Sequence, residues 1–243
     1  MSGILTLIPT PIDEFSPLEQ TAHELLLKAV TVKKDTSIIV IEDLKPCRRR
    51  WLRWGLPRES VDDFVMYNEH SASEVSLELL KALKAGKDVY IMSDGGLPAF
   101  CDPGIELVDL CHKNLIKVTA TPFANSISLA LSLSGFNHDK FVFEGFLPRD
   151  RTERKNAVDD VLREPRTIII MDTPYRLKKV LEEFNNAMKK QHRRREVFVA
   201  LDLNNPEEEE LLRGLPGEIA QKLESFKREF IMILAPLRVN KKK

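Results

Sequence analysis

The chain has 243 residues, of which 43% are hydrophobic and 30% charged, so it carries enough apolar material for a core and is not disordered throughout. Its 37 Lys and Arg side chains are balanced by 37 Asp and Glu side chains, which excludes a global field that would draw it to nucleic acid or to an anionic membrane. Its three cysteines form no CxxC pair, so we expect no structural metal site. No apolar run reaches the roughly 20 residues of a membrane span, and the first residues lack the charged start of a signal peptide. We therefore expect a cytoplasmic protein without a membrane segment.

Short apolar runs predict buried strands, and amphipathic runs between them predict helices. In the first half, strands are expected at residues 4–8, 36–41, 88–92 and 117–120, and helices at 19–32, 72–85 and 105–112. In the second half, strands are expected at 140–143, 167–171, 197–203 and 230–235, and helices at 126–134, 153–163, 177–190 and 218–226. The alternation predicts an α/β fold with a parallel sheet, repeated in a second unit. A boundary near Thr119 to Pro122 divides the chain into an N-terminal domain, 1–119, and a C-terminal domain, 120–243.

The loop from Ser93 to Gly104 directly follows the predicted strand at 88–92. In an open parallel sheet, ligands bind beyond the carboxyl ends of the strands. Glycines at 95 and 96 allow backbone to approach a ligand, and Asp94 or Asp102 can accept its hydrogen bonds. The alternative is a structural turn in which Asp102 caps the following helix. The chain has neither GxGxxG nor GxxxxGK[ST], so a dinucleotide or P-loop site is not expected.

Five segments resemble one known family in order and spacing. They read Leu7-Ile-Pro-Thr-Pro-Ile12, Ile41-Glu-Asp43, Ser93-Asp94 through Asp102-Pro-Gly104, Phe143-Glu-Gly-Phe-Leu-Pro-Arg149 and Asp172-Thr-Pro-Tyr-Arg176. The set is similar to the tetrapyrrole methylase superfamily, and within it to the bacterial small-subunit ribosomal RNA cytidine 2′-O-methyltransferase branch. The resemblance spans nearly the whole chain.

The resemblance implies two α/β domains, an N-terminal parallel Rossmann-like sheet and a C-terminal mixed sheet, with S-adenosylmethionine in the cleft between them. It also implies a homodimer. The cofactor-binding residues carried over from the family are Pro9, Ser93, Asp94, Gly95, Leu97, Pro98, Asn125, Ser126, Met171 and Asp172. For Met171, a plain core role in a strand is an equal alternative.

Several positions depart from the family pattern. Asp13 and Glu14 stand where the ribosomal RNA branch has Gly and Asn, Leu97 replaces a Thr, and Phe123 replaces a Gly. The two new carboxylates are expected to repel RNA phosphates. The changes at 97 and 123 leave open a non-catalytic protein that kept the fold.

Methyl transfer to an alcohol is helped by a general base. Glu69 and His70 are candidates, because Tyr67-Asn-Glu-His70 resembles the family's Tyr-His-Glu-His. Glu42 and Asp43, at a predicted strand end, are the other candidates. The alternative for Glu69 and His70 is a solvated glutamate and a helix cap.

Basic residues form three clusters. Arg48, Arg49 and Arg50, with Trp51 and Trp54, combine charge with aromatic faces and are predicted to bind the phosphates and bases of a substrate. The alternative is a dimer interface that buries the two tryptophans. The other clusters are interpreted as solvated helix faces or ion pairs; they comprise Lys189, Lys190, Arg193, Arg194 and Arg195, and Arg149, Arg151, Arg154 and Lys155.

The resemblance therefore implies a methyltransferase that uses S-adenosyl-L-methionine, a transferase of rRNA processing that modifies a ribose 2′-hydroxyl. The alternatives are a methyltransferase for a tetrapyrrole or another small molecule, and a non-catalytic protein that binds RNA or a partner.

Overall fold

The computed structural model describes residues 2–68, 71–123 and 125–237. Its described residues separate into two compact units, one reaching Asn125 and one beginning at Ser126. The division falls a few residues after the boundary expected near residue 120.

The first unit is a parallel sheet with helices. In chain order its elements are β1 (Leu5–Ile8), α1 (Gln20–Thr31), β2 (Ser37–Ile41), α2 (Leu44–Arg53), β3 (Val65–Met66), α3 (Ala72–Lys84), β4 (Asp88–Met92), α4 (Ile105–Lys113) and β5 (Val118–Ala120). The described strands lie in the order β3-β2-β4-β1-β5, and each neighbouring pair is parallel. The loops after β1, β2 and β4 therefore leave the same edge of the sheet.

Both faces of this sheet are buried, which explains the nearly continuous apolar runs of its strands. In β4, Tyr90 and Met92 pack into one core cluster while Val89 and Ile91 pack into another. Successive side chains of a strand point to opposite faces. The strand is thus the centre of two cores, one under α1 and α2 and one under α3 and α4.

The second unit contains a mixed sheet, as the resemblance implied. Its elements are α5 (Ser126–Ser134), β6 (Phe141–Phe146), α6 (Arg151–Arg163), β7 (Thr167–Asp172), α7 (Leu177–Lys190), β8 (Val197–Leu201), β9 (Glu210–Gly214), α8 (Pro216–Lys222) and β10 (Phe230–Leu234). The described strands lie in the order β6-β7-β10-β8-β9, with β6 parallel to β7 and the other neighbours antiparallel. The predicted α/β class with a parallel and a mixed sheet is confirmed.

Three elements were not expected from the sequence: α2, β3 and β9. Helix α2 begins at Leu44 behind an N-cap, because the Asp43 carboxylate accepts a hydrogen bond from the backbone N–H of Lys45 at 2.9 Å. Its buried residues are Cys47, Arg50 and Trp51, which lie on one helix face. None of the helices in the described residues is long and apolar enough to cross a bilayer.

Candidate functional site in the first unit

Thr10 joins the loop after β1 to the loop after β4. Its backbone N–H donates to the Gly96 carbonyl at 2.9 Å, and the Gly96 N–H donates back to the Thr10 carbonyl at 3.1 Å. The buried Thr10 hydroxyl also donates to the Ser93 carbonyl at 3.0 Å. The Ser93 hydroxyl in turn donates to the Gly96 carbonyl at 3.0 Å. The two loops that carry the predicted cofactor residues Pro9, Ser93, Asp94 and Gly95 are therefore held together at the carboxyl edge of the sheet.

Three carboxylates gather at this edge, and we call Glu42, Asp94 and Asp102 the acidic cluster. The Asp94 N–H donates to Glu42 Oε2 at 3.4 Å. Burial, and then the Glu42 charge, raise the pKa of Asp94 to about 6 and the pKa of Asp102 to about 7. Half-buried carboxyls that repel one another are costly to ionise, and the Asp43 N–H and the Arg50 charge offset this cost at Asp94 only in part.

Two polar atoms at the same edge lack partners in the described part of the chain. Asp94 Oδ1, after β4, and Thr121 Oγ1, after β5, are buried without a hydrogen bond to residues 2–68, 71–123 or 125–237. An unpaired buried acceptor costs about 1–3 kcal/mol. Both atoms are thus suited to a donor supplied by a ligand.

The loop beyond Pro98 is strained. Ala99 and Cys101 adopt positive φ angles of 63° and 65°, which residues with a Cβ seldom do. Gly104, at φ +136°, closes the loop where an added Cβ would lie 3.1 Å from the Ala99 nitrogen. Strain of this kind is concentrated at ligand-binding loops.

Arg50 was predicted to bind substrate, and the structure contradicts this. The residue is 6% exposed, and its Nη1 donates to the Pro11 carbonyl at 2.7 Å. Its Nη2 lies 3.5 Å from the Ile12 carbonyl and 3.3 Å from the position of a Cβ on Gly95. Arg50 therefore lies beneath the loops after β1 and β4 and supports them, and it is not free to meet a phosphate.

Arg48 and Arg49 are exposed on α2 but differ in their neighbours. Arg49 forms an ion pair with Glu14 at 3.0 Å, so the charge expected to attract RNA and one expected to repel it offset each other. Arg48 lines a cleft of about 760 Å³ together with Leu44, Arg58 and Met66. Of the three predicted arginines, Arg48 stays the best candidate for substrate.

Trp51 does not offer its faces to bases, and Trp54 is half-buried. Trp51 is 0% exposed in this single chain, donates from Nε1 to the Pro57 carbonyl at 2.9 Å and packs edge-on against Phe64. Trp54 donates to the Ser16 carbonyl at 3.2 Å. Both the predicted stacking role and the alternative dimer contact for Trp51 are wrong, because the core of the first unit already buries it.

In the second unit, Asp172 is committed to an ion pair. Its Oδ2 lies 2.9 Å from Arg154 Nη2, and its Oδ1 accepts from the Thr173 N–H at 2.8 Å. The carboxylate is therefore not available to a cofactor, and only the backbone of Asp172 remains a candidate. Met171 is half-buried beside a core cluster at the carboxyl end of β7, so its two interpretations both stand.

The remaining predicted residues are placed as follows. Pro9 and Pro98 are buried, Leu97, Asn125 and Ser126 are half-buried, and Gly95 is exposed. The predicted bases Glu69 and His70 lie outside the described residues. Within the described ranges, no three His, Cys, Asp or Glu side chains are grouped to hold a metal ion.

Sequence reasoning did not single out Thr10, Thr121 or the supporting role of Arg50. Thr10 stood inside a quoted motif, so its position was available. The inward direction of Arg50 had a weaker signal, namely its place one helical turn from Cys47 and beside Trp51.

Comparison with known proteins decides the family. Residues 5–220 match the model for Tetrapyrrole (Corrin/Porphyrin) Methylases. The chain belongs to this family. Among curated members, it is 28% identical over 225 residues to "Ribosomal RNA small subunit methyltransferase I" of Thermotoga maritima, covering 93% of this chain and 94% of the relative. It is 31% identical over 217 residues to the protein of the same name from Bacillus subtilis, covering 89% of this chain and 69% of the relative.

A solved structure shares the fold. A uroporphyrin-III C-methyl transferase from Thermus thermophilus, complexed with S-adenosyl homocysteine, superposes with a TM-score of 0.56 at 17% identity. The match covers 96% of this chain and 97% of that one. The family fold therefore extends over both units.

Proposed function

We propose that this chain is an S-adenosylmethionine-dependent methyltransferase that modifies small-subunit ribosomal RNA at a ribose 2′-hydroxyl. The observation that carries the proposal is the end-to-end similarity to "Ribosomal RNA small subunit methyltransferase I" of Thermotoga maritima, which includes 94% of that relative. A match over so much of both chains leaves little of either protein unaccounted for.

The residues of the first unit fit the cofactor. S-adenosylmethionine carries a cationic sulfonium, an ammonium, amine donors and ribose hydroxyls. The acidic cluster offers carboxyls whose pKa values are raised first by burial and then by the Glu42 charge, and Asp94 Oδ1 is a buried acceptor with no partner among the described residues. A cationic ligand relieves both deficits.

When bound, the cofactor would supply a methyl group whose carbon is attacked by the acceptor oxygen; an O–C bond would form, the C–S bond would break with S-adenosylhomocysteine as the leaving group, and the hydroxyl proton would pass to a base. The chain supplies position and charge. We assign Asp94 to the polar anchor and the Thr10-to-Gly96 contacts to holding the loop against the cofactor. Main-chain groups around residues 9, 95 and 97 contribute the rest, so the change to Leu97 does not prevent binding.

The acceptor side is assigned to the exposed face of α2. Arg48 and Arg58 line the cleft of about 760 Å³ with Leu44 and Met66, which pairs cations for phosphate with apolar area for a base. Glu69 or His70 is proposed as the base, on the resemblance alone. A cytoplasmic location and a homodimer are proposed on the same basis.

Two measurements test the proposal. Titration calorimetry with S-adenosylmethionine and S-adenosylhomocysteine is expected to show binding of both, and light scattering is expected to give the mass of a dimer. Labelled methyl transfer to unmodified small ribosomal subunits is expected to place the label in RNA that resists alkaline cleavage at the modified ribose. Absence of binding to either cofactor form would contradict the proposal and leave a protein that kept the fold without the reaction.

A further inference from the structure

One cleft of the second unit is lined by arginines. It measures about 820 Å³, and its walls include Arg163, Arg193, Arg194, Glu196, Leu215 and Leu237. A second cleft of about 420 Å³ shares Arg193, Arg194 and Leu215 and adds Lys189 and His192. We call the two together the basic cleft. Because the whole chain has no net charge, this is a local concentration of positive potential.

The basic cleft is built on a fully engaged arginine. Arg195 is 3% exposed and donates from Nη1 to the Val161 and Glu164 carbonyls at 2.9 Å each. Its Nε and Nη2 donate to the carbonyls of Ala235 and Arg166. Burial lowers the pKa of Arg195 to about 10, so it stays charged at neutral pH. It ties the end of α6 and the segment before β7 to the start of β8 and the end of β10, and so fixes the wall of the cleft.

The carboxylates near the cleft already have partners. Glu196 pairs with Arg213 at 2.9 Å, and Glu218 accepts from the Leu215 N–H at 3.0 Å. Arg194, in contrast, is exposed and makes no hydrogen bond or ion pair with any described residue. Arg163 is exposed and holds only a surface pair with Asp160, which is weak. These two cations are available to an anion from outside.

The basic cleft is separate from the predicted cofactor contacts of this unit. The strand β7 runs from Thr167, next to the cleft, to Asp172 at its far end. Six residues of strand span about 20 Å. Since β10 ends at Leu234 opposite Ile168, Ala235 to Leu237 line the cleft and not the end with Met171.

We infer that the basic cleft binds the phosphate backbone of the ribosomal RNA substrate, at a site separate from the one that takes the methyl group. The inference rests on the proposed function. Several cations beside the apolar lining residues Leu215, Pro236 and Leu237 suit an RNA strand, whose phosphates contact the arginines while a base contacts the apolar residues. Such contacts set affinity and orientation and do not read sequence.

The test compares Arg163→Gln/Arg194→Gln with a control that removes the same charge elsewhere, Lys81→Gln/Lys84→Gln on the exposed face of α3. The probe is small-subunit rRNA transcribed in vitro, and its Kd is measured by filter binding at several KCl concentrations. For the first variant, the slope of log Kd against log salt is expected to fall by about 1.4–1.8, and Kd at 0.1 M KCl to rise about tenfold or more. Affinity for S-adenosylmethionine is expected to stay unchanged in both variants.

The outcomes separate the two proposals. If the wild-type protein methylates the rRNA and the Arg163/Arg194 variant keeps its salt slope, the basic cleft does not bind RNA, whereas the proposed function stands. If the wild-type protein methylates small ribosomal subunits but does not bind the naked rRNA, the inference falls alone; if it neither binds the rRNA nor methylates the subunits, both proposals fall. Weaker binding to intact small subunits with unchanged binding to naked rRNA would assign the cleft to a ribosomal protein and overturn the inference. Arg194→Gln alone, with about half the change in slope, provides the same test if the double variant does not fold.

Discussion

Arg154 and Asp172 form a buried ion pair, with Nη2 and Oδ2 2.9 Å apart and both side chains 2% exposed. Arg154 also donates from Nε to Glu183 at 2.7 Å and from Nη1 to the carbonyls of Leu147 and Pro148. One guanidinium thus joins the start of α6, the end of β7 and helix α7. The planar, five-donor geometry of arginine is what permits this.

Arg154→Ala is expected to lower the free energy of unfolding by about 3–5 kcal/mol, because it leaves the Asp172 charge buried without its partner. Arg154→Lys keeps the charge but loses the planar guanidinium with its several donors, so we expect an intermediate decrease in the free energy of unfolding. Urea unfolding followed by far-UV circular dichroism measures both. Arg163→Ala, which removes only an exposed pair, is the control and should cost less than about 1 kcal/mol. An equal decrease in the free energy of unfolding of the control would contradict the stabilising role of the buried Arg154–Asp172 pair.

Asp94→Asn is expected to stabilise the protein without cofactor. The pKa of Asp94 is raised from 3.8 to about 6, so the folded state holds a proton that the unfolded chain releases between these values. Stability therefore falls as pH rises through about 4 to 6, and the penalty is fully present above that window. At pH 8 the asparagine variant should gain about 1 kcal/mol after allowance for partial exposure, or roughly 2–4 °C in Tm.

Thermal unfolding at pH 8 and pH 5 measures this gain, which should shrink at the lower pH. Asp109→Asn, on the exposed face of α4, is the matched control and should change Tm little. A variant less stable than wild type at pH 8 would show that the Asp43 N–H and Arg50, which favour the Asp94 carboxylate, outweigh the cost of its burial.

The same Asp94→Asn change is expected to lower the affinity for S-adenosylmethionine at least tenfold, because a neutral amide replaces a charged acceptor. Calorimetry at pH 8 measures the affinity. Stability and binding would then move in opposite directions, which mere damage to the fold does not produce. Unchanged affinity would remove Asp94 from the site.

Affinity for S-adenosylmethionine should rise with pH between 5 and 8. Asp94 and Asp102 have pKa values raised to about 6 and 7, and a cationic ligand prefers their ionised forms. Protonation below these values weakens binding, so the profile should level off above pH 7. Calorimetry in buffers of different ionisation enthalpy should also detect proton release on binding near pH 6. In Asp94→Asn the profile should be flatter; a profile independent of pH in the wild type would exclude the acidic cluster from cofactor binding.

Variants of Arg50 and Arg48 should distinguish a residue that supports the loops, Arg50, from one that binds substrate, Arg48. Arg50→Lys is expected to destabilise the protein by about 1–3 kcal/mol, since it leaves loop carbonyls without donors, and to weaken cofactor binding while the salt slope of rRNA binding stays the same. Arg48→Gln should lower that slope by about 0.7–0.9 and leave stability unchanged. Filter binding and urea unfolding give the two readouts. The reverse pattern would restore Arg50 as a substrate residue.

The sequence predicted the elements whose apolar spacing is regular. Helix α7 begins and ends where expected, since its buried residues recur at helical intervals from Leu177 to Met188. Helix α2 was missed because four arginines within ten residues hide a buried face that itself contains an arginine. The edge strand β9 was missed because its Glu-rich approach resembles a solvated loop.

For the candidate site, the sequence located the loops but not the direction of their side chains. The motifs brought Pro9, Ser93 and Gly95 to one sheet edge, because loops after parallel strands meet there. Arg50 and Asp172 were assigned to ligands, yet both are consumed by internal contacts. The sequence motif does not show whether a charged side chain faces solvent or donates to the backbone, because the packing of the folded chain determines its direction.

The outer strands of the parallel sheet are very short. Strand β3 has two residues and β5 has three, and they form the two borders of the sheet. A border of this length exposes few unpaired amide and carbonyl groups, so an added chain would gain little by extending the ladder. Self-association of the first unit through strand addition, including the route to fibrillar aggregates, is therefore disfavoured by its architecture. Any dimer that uses this unit must be held by side-chain surfaces.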